Sequence, residues 1–193
     1  MPTKLILIRH GITNCNKEKK YQGFLDTDLN AKGKNQARLL HGKIKQEKIH
    51  KVYSSDRKRA LQTAKIIFES KRITKTADLR EMHFGIFEGL TCAQIMKTHS
   101  RIYKRWFKDP FSVTIPGGEN LHCFKKRVIN AFRKITSHNY NKTMAVICHG
   151  GVIGIFLTHI LKTKDFWKQI PRPASITVII FKDGKYIRGE QYG

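Results

Sequence analysis

The sequence has few acidic residues, few cysteines and no long apolar run. Its 193 residues contain 14 Asp and Glu against 38 Lys and Arg, which gives a formal net charge of +24 at pH 7. The four cysteines form no C-x-x-C pair, which argues against a disulfide framework or a structural zinc site. The longest apolar stretch, 151–157, is far too short to span a bilayer. We therefore expect a cytoplasmic protein with reduced thiols and no membrane partner.

Low-complexity segments, proline-rich linkers and internal repeats are also missing. At this length one core normally serves the whole chain, and 40% hydrophobic residues suffice to build it. We expect a single domain over 1–193.

The charge is compatible with nucleic acid, an anionic membrane or an acidic small substrate as partner. Because basic residues are spread through every segment rather than gathered in one block, specific nucleic-acid binding is the weaker hypothesis.

Apolar runs rich in Ile and Val alternate with segments of helical periodicity. The apolar runs predict strands at 5–8, 51–54, 76–79, 144–148 and 176–181, and a final hairpin strand near 186–187. Apolar residues at helical spacing predict helices after Asn30 and over 60–68, 124–135 and 152–161. The alternation predicts an α/β fold, a three-layer α/β/α sandwich with a mainly parallel mixed sheet. Residues 88–118 interrupt the pattern and predict an inserted, lid-like segment.

Two predicted strands end alike, each in a histidine followed by glycine. One ends in Arg9, His10 and Gly11, and the other in His149 and Gly150. Ligands of open α/β sheets bind beyond the carboxyl ends of the strands, so adjacent parallel strands would bring both histidines to one site. The helix that follows the second histidine favours an anion at its N-terminus. The arginine indicates a phosphate, because its planar fork of donors fits a phosphoryl group.

Two further charged residues follow strand ends. Arg59 lies in the first turn of a predicted helix and begins its apolar side, so we expect it to point inward to an anion. Glu81 follows the weak strand at 76–79, and beside two histidines and two arginines it is a candidate proton donor. A metal site would need a third ligand, and no H-x-H or H-x-E-x-x-H spacing exists. We therefore expect no metal and no cofactor.

The segment from Arg9 to Asn16 matches the signature R-H-G-x-T-x-x-N, and on this motif the chain resembles the histidine phosphatase superfamily, in its phosphoglycerate mutase-like branch. The resemblance covers nearly the whole chain, and the number of motifs in the family's order argues strongly against chance agreement. Further motifs follow in order at 21–23, 28–29, 33–37, 55–64, 79–89, 116–119 and 149–151. The resemblance implies a phosphoglycerate mutase-like fold and a metal-independent phosphatase.

The resemblance also implies a role for each site residue. His10 would be the nucleophile that takes the phosphoryl group as a phosphohistidine. Glu81 would protonate the leaving oxygen and later deprotonate the attacking water, and Ser55 would hold the ring of His10. Such covalent catalysis divides one hard displacement into two easier steps. The phosphate pocket would be formed by Arg9, Asn16, Gln22, Gly23, Arg59, His149 and Gly150.

Two alternatives stay open at this point. A cofactor-dependent phosphoglycerate mutase would carry a longer insertion than the 35 residues that separate Glu81 from Gly117, which favours a phosphomonoesterase. A basic nucleic-acid-binding protein is the non-enzyme alternative.

The expected partner is a small phosphorylated metabolite, and the oligomeric state, monomer or dimer, is open. We expect the pocket entrance, and a preference for extra negative charge or a flat ring, to come from Arg101, Tyr103, Lys104, Arg105, Trp106 and Lys108.

Overall fold

The strands of the computed structural model, which describes residues 2–192, pair into one mixed sheet. They are β1 (Thr3–Arg9), β2 (Lys51–Ser55), β3 (Ile73–Thr76), β4 (Thr143–Cys148), β5 (Ile176–Lys182) and β6 (Lys185–Tyr192). Their order across the sheet is β3-β2-β4-β1-β5-β6. The first four in this order are parallel, and β5 and β6 run antiparallel to their neighbours.

Helices cover both faces of the sheet. They are α1 (Asn14–Lys17), α2 (Ala31–Ile44), α3 (Lys58–Ile67), α4 (Cys92–Thr98), α5 (Ser100–Lys108), α6 (Leu121–Ser137) and α7 (Gly150–Ile160). Successive residues of a strand face opposite sides, so Leu5 and Leu7 pack with α6 and α7, while Ile6 and Ile8 pack with α2 and α3. The predicted α/β sandwich with a mainly parallel mixed sheet is confirmed.

The local signals that start the helices also act as expected. Asn30 is the N-cap of α2, where its side chain accepts a hydrogen bond from the backbone N–H of Gly33. The predicted hairpin joins β5 to β6 through Asp183 and Gly184, both with positive φ angles (52° and 74°). Two such residues match the right-handed twist of the flanking strands, so the turn sets the register of β6.

The strand predicted at 76–79 is wrong in position. The structure places β3 at Ile73–Thr76, and Ala77–Leu79 forms a 3-10 turn that Thr76 caps with its hydroxyl. β3 is an edge strand without a fully buried residue, so it lacks the apolar run that marks a central strand. The buried side chain of Leu79 joins the core from the turn and not from the strand.

Residues 88–118 contain α4 and α5, which pack around a small apolar cluster of their own. Its buried members are Phe87, Ile95, Tyr103, Trp106 and Ile115. Helix α5 turns Tyr103 and Trp106 to this cluster and its basic side chains to solvent, as its amphipathic sequence requires. In the described part of the chain, no helix is long and apolar enough to cross a membrane.

The contact between α6 and α7 provides a test of the core. Phe132 is 1% exposed and stacks on Phe156 with ring centroids 3.9 Å apart. Phe132→Ala should lower the free energy of unfolding by about 3–5 kcal/mol, because it removes buried apolar contacts and leaves a cavity. Urea unfolding followed by circular dichroism would measure the change. Leu39→Ala, at a 63% exposed position of α2, is the control and should change it by less than about 0.5 kcal/mol.

Candidate active site

The pairing of β1 with β4 brings the two strand-end histidines together. The strands are parallel and Arg9 lies opposite Cys148, so the next residue of each strand, His10 or His149, leaves the sheet at the same edge. Their ring centroids are 5.1 Å apart with an interplanar angle of 65°. Both rings are almost completely buried. The site therefore lies at the carboxyl ends of the parallel strands, as the sequence pattern predicts.

His10 has one nitrogen available for chemistry. Its Nδ1 lies 2.8 Å from the carbonyl oxygen of Gly11, and a carbonyl oxygen only accepts hydrogen bonds, so Nδ1 carries the proton and Nε2 bears the lone pair. Burial lowers the pKa of His10 well below its usual value, and the positive charges of Arg59 and Arg9 lower it further. At neutral pH the ring is thus a neutral base with a defined tautomer.

His149 is held by Ser55, whose Oγ lies 2.9 Å from Nε2 of the imidazole. The expectation that Ser55 holds the ring of His10 is wrong. The reason is strand order: β2 neighbours β4 and not β1, so the residue that ends β2 meets the residue that follows β4. Burial, with Arg59, His10 and Arg9, also lowers the pKa of His149 well below its usual value.

Arg9 and Arg59 bring two positive charges beside these rings, and Arg59 is fully buried while Arg9 is partly buried. Nη1 of Arg9 donates to the carbonyl oxygen of Pro171, and the two Nη atoms of Arg59 donate to the carbonyls of Leu25 (2.6 Å) and Gly23 (2.8 Å). Burial lowers the pKa of Arg9 and lowers that of Arg59 to about 10, so both remain charged at neutral pH. Within residues 2–192, Nε of each is buried without a hydrogen-bond partner. Buried donors of this kind favour an anion in the site.

Glu81 lies against the first turn of α7. Its Oε2 accepts the N–H of Gly151 at 2.9 Å, and its Oε1 accepts the N–H of Met82 at 3.0 Å. A Cβ at position 151 would lie 2.4 Å from Oε1, so only glycine allows this approach. A Cβ at Gly150 would likewise lie 2.9 Å from the guanidinium of Arg9. The glycines after His149 thus allow the side chains of Arg9 and Glu81 to pack closely on the start of α7.

The polar residues expected to contact the phosphate are partly engaged within the protein. Oδ1 of Asn16 accepts from the backbone N–H of Thr13 at 3.1 Å, and Oε1 of Gln22 accepts from the hydroxyls of Thr13 (2.9 Å) and Thr27 (2.8 Å). Their carboxamide oxygens therefore order the loop, which leaves the NH2 groups as donors. Gly23 contributes through its carbonyl, which accepts from Arg59. All three line the same pocket as His10.

Sequence reasoning missed the residues that fix the segment carrying Glu81. Arg127 of α6 donates to both carboxylate oxygens of Glu119 (3.0 and 2.7 Å) and to the carbonyls of Asp78 and Arg80 (both 2.9 Å). A planar guanidinium can make these contacts at once because its donors point in several directions. The sequence feature that could have indicated this role is the position of Arg127, one residue before Val128 and beside the apolar face of α6.

The pocket has a volume of about 210 Å³ and takes lining side chains from across the chain. Of residues 88–118, it is Trp106 and Pro110 that line it, whereas Arg101 and Arg105 border a separate surface hollow. The expectation that the basic residues of this segment surround the entrance is therefore wrong, because α5 turns them to solvent.

A larger groove of about 450 Å³ lies over β1, β5 and β6 and contains none of the site residues. In the described ranges, no group of three His, Cys, Asp or Glu side chains has an arrangement that could hold a metal ion.

Known proteins resemble this chain over most of its length. The profile of a family described as the histidine phosphatase superfamily (branch 1) matches residues 5–188. The chain is 37% identical over 155 residues to phosphoglycerate mutase-like protein 4 of Arabidopsis thaliana, covering 78% of this chain and 67% of the relative. It is 30% identical over 190 residues to a metal-independent phosphoserine phosphatase of the same plant, covering 96% and 79%.

A solved structure has the same fold. The α-ribazole phosphatase from Shigella flexneri superposes with a TM-score of 0.88 at 24% identity, covering 95% of this chain and 93% of that one.

The neutral state of the buried imidazoles predicts how stability depends on pH. Because the folded-state pKa values of His10 and His149 are lowered, the unfolded chain binds more protons below about pH 6.5, and the free energy of unfolding falls with pH. Each ring should contribute up to about 1.4 kcal/mol of this loss by pH 5.5. Urea unfolding between pH 7.5 and 5.5 should show a weaker pH dependence in His10→Asn and His149→Asn. The same change at exposed His122 is the control, and equal slopes in all four proteins would contradict the prediction.

Proposed function

The chain belongs to branch 1 of the histidine phosphatase superfamily, and on this premise we propose that it hydrolyses small phosphomonoesters through a phosphohistidine on His10, without a metal ion. The observation that carries the proposal is the state of His10. Its Nε2 is unprotonated because Nδ1 donates to Gly11, and its ring lies beside the guanidinium groups of Arg9 and Arg59. A neutral nucleophile beside fixed positive charge suits attack on a phosphate, whose own charge would repel an anionic nucleophile.

The phosphoryl group would be bound by Arg9, Arg59 and His149 together with the N-terminus of α7. The two Nε–H groups that lack a partner supply donors, and the first backbone N–H groups of α7 add their dipole. The NH2 groups of Asn16 and Gln22 complete the donor set. Phosphoryl transfer depends mainly on positioning and charge stabilisation, and this set of donors provides both.

The reaction would proceed in two displacements. Nε2 of His10 attacks phosphorus while the bond from phosphorus to the leaving oxygen breaks, and protonated Glu81 gives its proton to that oxygen. The resulting Glu81 carboxylate then takes a proton from water, whose oxygen attacks phosphorus and breaks the P–N bond. The products are an alcohol and inorganic phosphate, and the imidazole and the carboxylic acid are restored. A general acid and base of this kind contributes about 10²–10⁴-fold in rate.

The first test measures turnover and the covalent intermediate. Purified protein should hydrolyse an activated aryl phosphate, keep its activity in EDTA, and give an acid-labile, base-stable phosphoenzyme after rapid quench with labelled substrate. His10→Ala should lower both turnover and formation of the phosphoenzyme by about 10³-fold or more. His122→Ala, at an exposed position, should retain both. Loss of activity in EDTA would overturn the metal-independent proposal. Interconversion of 2- and 3-phosphoglycerate without net hydrolysis would favour the mutase alternative.

A second test separates the proton donor from the nucleophile. Glu81→Gln should lower kcat for an alkyl phosphate by about 10²–10⁴-fold but lower it much less for 4-nitrophenyl phosphate, whose leaving oxygen needs no proton. Arg127→Met should give the same pattern in weaker form, because Arg127 donates to the carbonyls of Asp78 and Arg80, immediately before Glu81. Arg133→Met, on the exposed side of the same helix, is the control. An equal loss for both esters would contradict the role of Glu81.

A further inference from the structure

The part of the pocket that would hold the leaving group is lined by aromatic rings. We use the name aromatic wall for the side chains of Tyr21, Phe84, Phe166, Trp106 and Trp167, all of which border the same pocket as the phosphate-binding residues. They come from separate segments: the loop before α2, the loop after β3, helix α5 and the segment that follows α7. Trp106 is 1% exposed and Trp167 is 42% exposed, so the wall extends from the interior to the mouth.

The rings of the wall support one another. Trp106 and Trp167 meet edge to face with centroids 5.7 Å apart and an interplanar angle of 81°. Tyr21 meets Phe84 at 5.1 Å and Trp106 at 6.3 Å, also edge to face. Each contact of this type adds about 0.5–1.5 kcal/mol beyond the burial of area. The wall is therefore preformed and presents ring surfaces to a bound molecule at little entropic cost.

Charge is scarce on this side of the pocket. Among the lining residues that the structure describes, the one charged side chain outside the proposed catalytic and phosphate-binding set is Lys20. Its Nζ is 2.6 Å from the carboxylate of Glu18 in a solvent-accessible ion pair, so it is not a buried charge dedicated to a ligand. A carboxylate or second phosphate on the leaving group would lose its hydration here without gaining a dedicated partner, which is costly. The large net charge of the protein thus does not extend into the leaving-group side.

Size limits the leaving group as well. The volume of about 210 Å³ lies below the range of about 300–1,000 Å³ that is usual for pockets holding drug-sized ligands. A small leaving group therefore suits the pocket, and a large conjugate would have to project beyond Trp167 into solvent.

We propose that the substrates are phosphomonoesters whose leaving group carries an uncharged flat ring close to the esterified oxygen, and that this ring packs on the aromatic wall. The inference rests on the proposed phosphatase function and narrows it. It selects the flat ring, and not extra negative charge, as the property that the pocket recognises. Burial of one aromatic ring favours binding enough to raise kcat/KM by about 10- to 100-fold.

The experiment compares esters whose phosphate is carried by a primary alkoxide, so that the chemistry is matched: 2-phenylethyl phosphate, ethyl phosphate, phosphoserine and 3-phosphoglycerate. We expect kcat/KM for 2-phenylethyl phosphate to exceed the other three by at least tenfold. Equal or faster hydrolysis of phosphoserine or 3-phosphoglycerate would overturn the inference and leave the proposed phosphatase activity intact.

A variant at the mouth of the pocket tests the wall directly. Trp167→Ala should lower kcat/KM for 2-phenylethyl phosphate about tenfold more than for ethyl phosphate. Tyr140→Ala is the matched control, since Tyr140 is 52% exposed and hydrogen bonds to Asp183, outside the pocket lining. It should leave both values unchanged. Equal losses for the two esters in Trp167→Ala would contradict packing of the ring on the wall.

A binding measurement keeps the inference separate from turnover. By calorimetry, the wild-type protein should bind 3-phenylpropylphosphonate at least tenfold more tightly than propylphosphonate, and Trp167→Ala should reduce the difference. This result would support the wall even if every ester resisted hydrolysis, an outcome that would defeat the proposed function instead. Equal affinities for the two phosphonates would overturn the inference whatever the rates.

Discussion

The site depends on one pairing, that of β1 with β4 in parallel. Because Arg9 lies opposite Cys148, two histidines that are 139 positions apart in sequence leave the sheet side by side, with ring centroids at 5.1 Å. A slip of one residue would turn every side chain of β1 to the other face of the sheet. The alternation that buries Leu5 and Leu7 on one face and Ile6 and Ile8 on the other therefore fixes the relative position of the histidines as well as the core.

Burial then determines the charge state of the groups that meet there. The same loss of hydration that keeps both imidazoles neutral leaves the guanidinium groups of Arg9 and Arg59 charged, because their ordinary pKa lies so much higher. The donors of Arg59 that bond to Gly23 and Leu25 order the loop over the site. The buried Nε–H groups stay unsatisfied within the described chain, and an anion would supply their missing acceptor.

The pocket joins two different surfaces. On one side lie the histidines, the arginines and Glu81, which are suited to a phosphoryl group, and on the other lies the aromatic wall. This separation limits the part that the net charge of +24 can play in binding. Charges at the surface can draw a phosphorylated molecule toward the site, an effect that salt weakens. On our proposal, recognition of the leaving group inside the pocket depends on ring contact, since the lining cation Lys20 forms an ion pair with Glu18.

The local sequence pattern was sufficient to predict the strands at the centre of the sheet, the caps and periodicity of the long helices, and the His-Gly strand ends. Each of these features depends on residues that are neighbours in the sequence. It was insufficient for β3, a short edge strand without a buried run, and for the partner of Ser55, which follows from the order β2-β4-β1. The contact of Arg127 with Glu119 came only from the tertiary structure, and so did the aromatic wall as a whole, of which the sequence indicated only Trp106. Their members lie in distant segments, and contacts of that kind form only when the folded sheet and its helices bring those segments together.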